Sequence, residues 1–254
     1  MASPSASAKQ RLRNLVRQRL SSIPADSVAA QSRKIFDTLK NFKPYLEARR
    51  ISIYLSMPSG EIQTDAIVRH ALTLGKQVFV PYLHNSPPGM PDTPPRVMDM
   101  VRLKDVRDYE SLQLDRWGIP SIDPASVHAR QRILGGPDEH QPPQACLDLI
   151  LLPGVAFDFD ESGAVRRLGH GKGFYDFFMN RYLAESSSSR GANAAKPVLL
   201  YALALTEQLL SGEPGEQVPM AQHDRRLHGL VLGDGQVKES SGTMTPDSLY
   251  RAAS

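Results

Sequence analysis

The chain has almost no sulfur chemistry: one cysteine, Cys146, in 254 residues. A single thiol excludes an internal disulfide and a cysteine metal cage, and it fits a reducing compartment better than secretion. Long apolar runs are missing as well. The two most apolar stretches, Leu147–Val155 and Val198–Leu205, fall short of the roughly 18–20 residues that a membrane-spanning helix needs. Both read as buried strands, and no membrane partner is expected. Charge of one sign is absent too. Lys and Arg number 30 and Asp and Glu 27, a net +3. Without a clustered basic face, that excess does not make a nucleic-acid binder. Only residues 1–24 break the balance: they hold no Asp or Glu and are rich in Ser and Arg. This is the composition of a mitochondrial transit peptide, or of a basic first helix behind a short lead.

What is present is ordinary for a globular chain, with 41% hydrophobic and 22% charged residues. The length suits one large domain or two small ones. Leu12, Leu15, Val16 and Leu20 recur at helical spacing. Pro24 and Asp26 open a second helix carrying Val28, Ile35, Phe36 and Leu39, with Asp26 as its expected cap. Arg50–Leu55 is β-branched and apolar and reads as a strand. Thr64 caps a third helix that Gly75 ends. Gln77–Val80 is a strand, and the proline-crowded residues 81–95 are expected to be irregular. Val97–Leu103 reads as a strand with one wet face. Residues 126–144 and 185–195 are expected to be inserted loops. Residues 1–7 and 237–254 are expected to be loose tails. A helix over Gly171–Leu183, a strand over Val198–Leu205 and a last strand over Leu227–Leu232 complete the pattern.

Alternating strands and helices predict a single α/β domain. Its expected form is a three-layer αβα arrangement around a mostly parallel central sheet, Rossmann-like. Ligands of such sheets gather beyond the carboxyl ends of the strands. The richest turn there follows Leu147–Leu152 and includes Arg166-Arg167-Leu168-Gly169-His170-Gly171-Lys172-Gly173-Phe174-Tyr175-Asp176. Glycines at 169, 171 and 173 let the backbone approach a ligand closely. Amides at a helix start, with Arg166, Arg167 and Lys172 beside them, suit a polyphosphate. The spacing matches neither the common phosphate loop nor the dinucleotide fingerprint. Asp176 suits either Mg²⁺ beside bound phosphates or the helix N-terminus, and local sequence leaves both open. Asp224 is a second acid in a polar turn.

Four blocks then carry a resemblance: Ala8–Arg13, Ile51–Met57 with Glu61 beyond, Met98–Arg102, and Asp148–Gly154 running on to Tyr175-Asp176. Together they resemble the 5-formyltetrahydrofolate cyclo-ligase family, from Lys9 to Asp224. The resemblance implies an ATP-dependent ligase that converts 5-formyltetrahydrofolate to 5,10-methenyltetrahydrofolate. It implies Lys9 and Arg13 on ATP phosphates, with Arg167, Leu168, Gly169, His170, Gly171, Lys172, Gly173, Phe174 and Tyr175 wrapping the nucleotide. It implies Leu55, Met57, Glu61, Trp117, His170 and Phe174 around the folate. Lys172, Tyr175 and Arg167 would act in catalysis, and Asp176 and Asp224 would hold Mg²⁺. His170 stands where many members carry Arg. Because Lys9 and Arg13 are implied site residues, the first helix is kept in the mature protein. A cytoplasmic monomer is expected, with the mitochondrion as the alternative compartment.

An amide oxygen leaves poorly, so the implied reaction first phosphorylates the formyl oxygen. N10 of the same folate then attacks, and phosphate departs. Intramolecular attack gains from proximity, which leaves the protein to align groups and neutralise charge. Two rivals stay open on sequence: a sugar-phosphate isomerase or transferase of similar fold, and a non-catalytic folate-binding protein.

Overall fold

Apolar alternation on both faces of the central strands dictates the layering. The computed structural model describes residues 4–86, 93–135, 146–189, 197–213 and 215–241. In chain order the elements begin with α1 (Pro4–Ser21), α2 (Ala25–Leu39), α3 (Lys43–Glu47), β1 (Arg50–Ile53), α4 (Asp65–Thr73), β2 (Gln77–Asn85) and β3 (Arg96–Arg102). Then come α5 (Val106–Glu110), β4 (Gln113–Leu114), β5 (Pro120–Ser121), a 3-10 turn (Pro124–Ala129), β6 (Leu149–Leu152), β7 (Ala156–Phe159) and β8 (Val165–Leu168). The last are α6 (Phe174–Ser189), β9 (Leu199–Ala204), a 3-10 turn (Thr206–Gln208), β10 (Gly229–Leu232) and β11 (Val237–Glu239).

One seven-stranded sheet runs β11-β10-β9-β6-β1-β2-β3. Its five inner strands are parallel, and β11 and β3 pair antiparallel at the two ends. Leu149 and Leu151 of β6, Tyr201 and Leu203 of β9, and Ile51 and Ile53 of β1 point to one apolar cluster, covered by α2, α3 and α4. Ile150, Leu152, Leu200 and Ala202 point to the other, covered by α6 and the β7–β8 hairpin. Two buried faces explain why these strands read as unbroken apolar runs. The expected three-layer fold is therefore present. The parallel strands follow the doubly wound order 2-1-3-4-5, whose switch point lies between β1 and β6.

Several local expectations are corrected. β2 continues through Pro81 to Asn85. Pro81 faces Met100, whose backbone is engaged elsewhere: its carbonyl accepts from the Ile133 amide at 3.0 Å, and its amide donates to Asp99 Oδ1 at 2.7 Å. β1 pairs with β2 only as far as Phe79. The missing proline N–H thus costs no ladder bond. β3 has no wet face, because Val97 to Val101 are all buried and residues 131–133 cover its edge. Asp26 lies inside the first turn of α2; Pro24 holds the cap position without a side-chain bond.

The stretches expected as loops and tails also differ. α1 begins at Pro4, within residues 1–7. Residue 237 onward opens as β11 before the described residues end at 241. Residues 126–135 finish a 3-10 turn at Ala129 and run on outside any named strand or helix, with Ile133 buried and Arg130 and Arg132 paired to Asp108 and Asp99. The rest of that loop lies outside the described residues. α6 runs through the serines to Ser189, since extending a formed helix costs far less than starting one; residues 190–196 lie outside the described residues.

Candidate functional site

The loops after β1 and β6 meet at the switch point. After β1 the chain turns through Gly60, whose φ of +80° suits glycine, and brings Glu61 back under Met57. The Met57 amide donates to Glu61 Oε1 at 2.6 Å, and Gln63 Nε2 donates to the Met57 and Glu61 carbonyls. Glu61 is 5% exposed. Burial pushes its carboxyl up to about 7, against the opposing pull of the Met57 N–H. Leu55 is buried in the core cluster, and Met57 is half-buried.

After β6, Pro153-Gly154 leads into the β7–β8 hairpin, which delivers Arg167. Its guanidinium lies directly beneath Gly169, where a Cβ would come within 3.1 Å of Nη1. Arg167 Nη2 donates to Asp176 Oδ2 at 2.8 Å and Nη1 to the Pro153 carbonyl at 3.3 Å, while the buried Nε has no partner among the described residues. The Leu168 side chain is buried against α1, so only its backbone belongs to the turn. Gly171 and Gly173 take φ of +100° and +67°, and the turn opens α6 at Phe174. Arg13 reaches in from α1, its Nε donating to the Gly169 carbonyl at 2.8 Å. Lys172 is exposed at the rim, and Phe174 is half-buried.

His170 is exposed, and its pKa is lowered by desolvation first, then by the charges of Arg17, Arg167 and Arg13. A neutral imidazole therefore stands amid three guanidinium groups at neutral pH. Burial holds the Tyr175 hydroxyl well above its usual range, and the charge of Glu61 adds to this. Arg167 sits 5.6 Å over the Tyr175 ring. Tyr175 thus stands between the glycine turn and the core cluster that holds Leu55 and Ile62 of the Glu61 loop.

Asp176 and Asp224 lie in one neighbourhood but do not face each other through bonds. Asp176 accepts from Arg167 and from the Arg225 amide at 3.3 Å. Asp224 accepts from Lys9 and from the Ala221 amide at 2.6 Å. Among the described residues no three His, Cys, Asp or Glu side chains gather as a metal cage. Two carboxylates beside a turn of amides and cations nevertheless have the chemistry of a Mg²⁺ site, since that ion takes one or two carboxylates and completes its shell with phosphate oxygens and water. Trp117, in the β4–β5 turn, is half exposed with Arg116 stacked 3.9 Å over its ring. That turn rests on the Glu61 loop: a Cβ on Gly118 would meet Pro58 Cγ at 2.7 Å.

Three contributors carried no sequence signal beyond their type. Arg17 charges the His170 environment, Asn180 accepts from Arg225 Nε, and Arg225 supplies an amide to Asp176. The basic pair Arg225-Arg226 could have marked the last.

The model of the 5-formyltetrahydrofolate cyclo-ligase family matches residues 5–233. A Caenorhabditis elegans protein described as a probable 5-formyltetrahydrofolate cyclo-ligase is 32% identical over 227 residues, covering 88% of this chain and 91% of its own. The Mus musculus 5-formyltetrahydrofolate cyclo-ligase is 31% identical over 229 residues, covering 90% and 95%. Among solved structures, Aquifex aeolicus 5,10-methenyltetrahydrofolate synthetase superposes with a TM-score of 0.58 at 20% identity, covering 93% of this chain and 95% of that one.

Proposed function

The chain belongs to the 5-formyltetrahydrofolate cyclo-ligase family, and from that membership we propose that it closes 5-formyltetrahydrofolate to 5,10-methenyltetrahydrofolate at the expense of ATP. The single observation that carries the reading is that Tyr175 stands between two unlike half-sites: Arg167 lies over its ring, and the ring packs against the core cluster that holds Leu55 and Ile62 on either side of Glu61. One is an amide-and-cation turn fit for phosphates; the other is a buried carboxyl fit for an N–H-rich heterocycle. A sugar-phosphate enzyme has no use for the second half-site. A protein that only stores folate has no use for the first.

Each group then has a task. Lys172 and Arg13, with the amides of residues 170–173, bind phosphate oxygens and neutralise charge as the γ-phosphoryl reaches the formyl oxygen. Lys9 adds a cation from α1. Arg167 is a positioning residue: it supports Gly169 from below and holds Asp176. Glu61 accepts from the pterin N–H donors, which favour its ionised form and reverse the effect of burial. Tyr175 stays a neutral phenol near the reacting end, with Phe174 and His170 beside it. Leu55, Met57 and Trp117 border the folate. Asp176 and Asp224 would hold Mg²⁺, which supplies charge neutralisation on the triphosphate. No helix among the described residues is long and apolar enough to cross a membrane. We propose a monomer working in the cytoplasm, with ATP and folate as its only partners.

The test is direct. Purified protein is mixed with ATP, Mg²⁺ and 5-formyltetrahydrofolate while ADP and the near-ultraviolet band of the methenyl product are followed together. Equal amounts of both are expected. Folate binding without ADP would reject the ligase in favour of a storage protein. A chelator added before ATP is expected to stop turnover; full rate in its presence would remove the cation from the scheme.

A further inference from the structure

Arg102 belongs to a sequence block that the proposed reaction leaves unused. It ends β3 and pairs with Phe79 near the start of β2. This is the sheet end opposite the carboxyl ends of β1 and β6, where the glycine turn and Glu61 lie. There Arg102, Lys104, Ala129, Arg130 and Gln131 line a cavity of about 270 Å³.

Its charges are unbalanced. Arg130 is held in a two-armed pair by Asp108 at 2.6 and 2.7 Å, and its Nη1 also reaches the Arg102 carbonyl at 3.3 Å. That pair accounts for one cation and one anion. Arg102 and Lys104 remain, with no carboxylate among the other described lining residues. Arg102 Nε is buried without an acceptor among the described residues. Buried donors are almost always satisfied, so an orphan donor beside surplus positive charge asks for an acceptor from outside the chain. An acceptor that answers both Arg102 and Lys104 carries negative charge and more than one oxygen. The space exceeds the share of one water several-fold.

We propose that this cavity is a second, non-catalytic site for a small oxyanion of the phosphate class. The site also sits at the root of an excursion. Residues 103–130 leave the sheet at Arg102 and return at Arg130, and the Arg102 amide donates to the Gln131 carbonyl at 2.9 Å. The β4–β5 turn carrying Trp117 lies within this excursion and rests on Pro58. An anion bridging Arg102 and Lys104 to the Arg130 side stiffens the excursion at its base. Trp117, the only tryptophan, reports that stiffening.

Inorganic phosphate is titrated calorimetrically into Lys172→Ala, where the catalytic cradle is crippled, and tryptophan emission is followed alongside. Saturable binding with an emission change is expected. Adding Arg102→Gln and Lys104→Gln is expected to weaken it about tenfold or more. Absence of binding in Lys172→Ala, or binding unaffected by the added substitutions, overturns the site. Lys104 is exposed, so Lys104→Gln alone decides the matter should the Arg102 variant fail to fold. In an otherwise native chain, Arg102→Gln/Lys104→Gln is expected to keep full turnover in phosphate-free buffer. Loss of turnover would make the cavity part of the catalytic machinery and reject its separateness.

Discussion

Lys9 of α1 and Asp224 of the turn before β10 form an ion pair across 215 positions of sequence. Both side chains are largely buried, so the pair is more than a surface contact, and it fixes the first helix against the acid proposed to face Mg²⁺. Lys9→Met is expected to raise the KM for ATP about tenfold, equivalent to about 1.4 kcal/mol, and to lower stability by about 1 kcal/mol. Steady-state kinetics and thermal melts measure the two effects. An unchanged KM for ATP would release Lys9 from the nucleotide.

Lys172 is exposed and has no packing role. Lys172→Ala is therefore expected to melt like the native protein, within about 0.5 kcal/mol. Its kcat/KM should fall by about 10²-fold or more, as for loss of a group that stabilises transition-state charge. ADP release at saturating folate measures it. A rate near native would sink the cradle.

Glu61 sets a pH dependence. Burial raises its carboxyl from the usual 4.5 to about 7 in the folded chain. Between those values the folded state binds a proton that the unfolded state has lost, so stability falls as pH rises through this window. Glu61→Gln keeps the shape without the charge. It is expected to be about as stable as the native chain near pH 4 and more stable at pH 8, by up to about 3 kcal/mol. Its KM for folate should rise, because an amide offers the pterin a weaker acceptor. Melts at the two pH values check the first claim, and equal differences at both would refute it.

Gly171 holds φ at +100°, and a Cβ there would stand 3.2 Å from the Arg13 Cζ. Gly171→Ala is expected to cost about 1–2 kcal/mol in backbone strain and to push Arg13 off the Gly169 carbonyl. The KM for ATP should rise more than the KM for folate, and a titration of each substrate separates them. Equal rises would mean that the whole turn had collapsed.

The central strands were legible because two buried faces leave apolar residues at every position, as in Leu149–Leu152. The glycine turn was legible as a turn because Gly171 and Gly173 supply the positive φ it needs just before a helix. The β7–β8 hairpin was hidden: Asp158 and Arg166 make its strands look like polar loop, whereas in the fold they neutralise each other. Pro81 concealed the length of β2, because the sequence cannot say which way a missing N–H faces. The bonds that assemble the site, Arg13 to Gly169 and Lys9 to Asp224, join opposite ends of the chain, and local spacing carries no trace of them. Nor could spacing reveal that Met57 would hold Glu61 out of water.

The first helix is anchored differently from the others. Leu12 and Val16 pack into a small cluster with Val155, Ala156, Leu168, Leu210 and Val218, apart from the two large clusters that sandwich the sheet. Such a helix is expected to open as a unit at a lower free energy than global unfolding. Its backbone amides will exchange with deuterium ahead of those of β6 and β9. Because the same helix carries Arg13 and Lys9, nucleotide will slow that exchange selectively, making this segment a latch whose closing is read by isotope uptake.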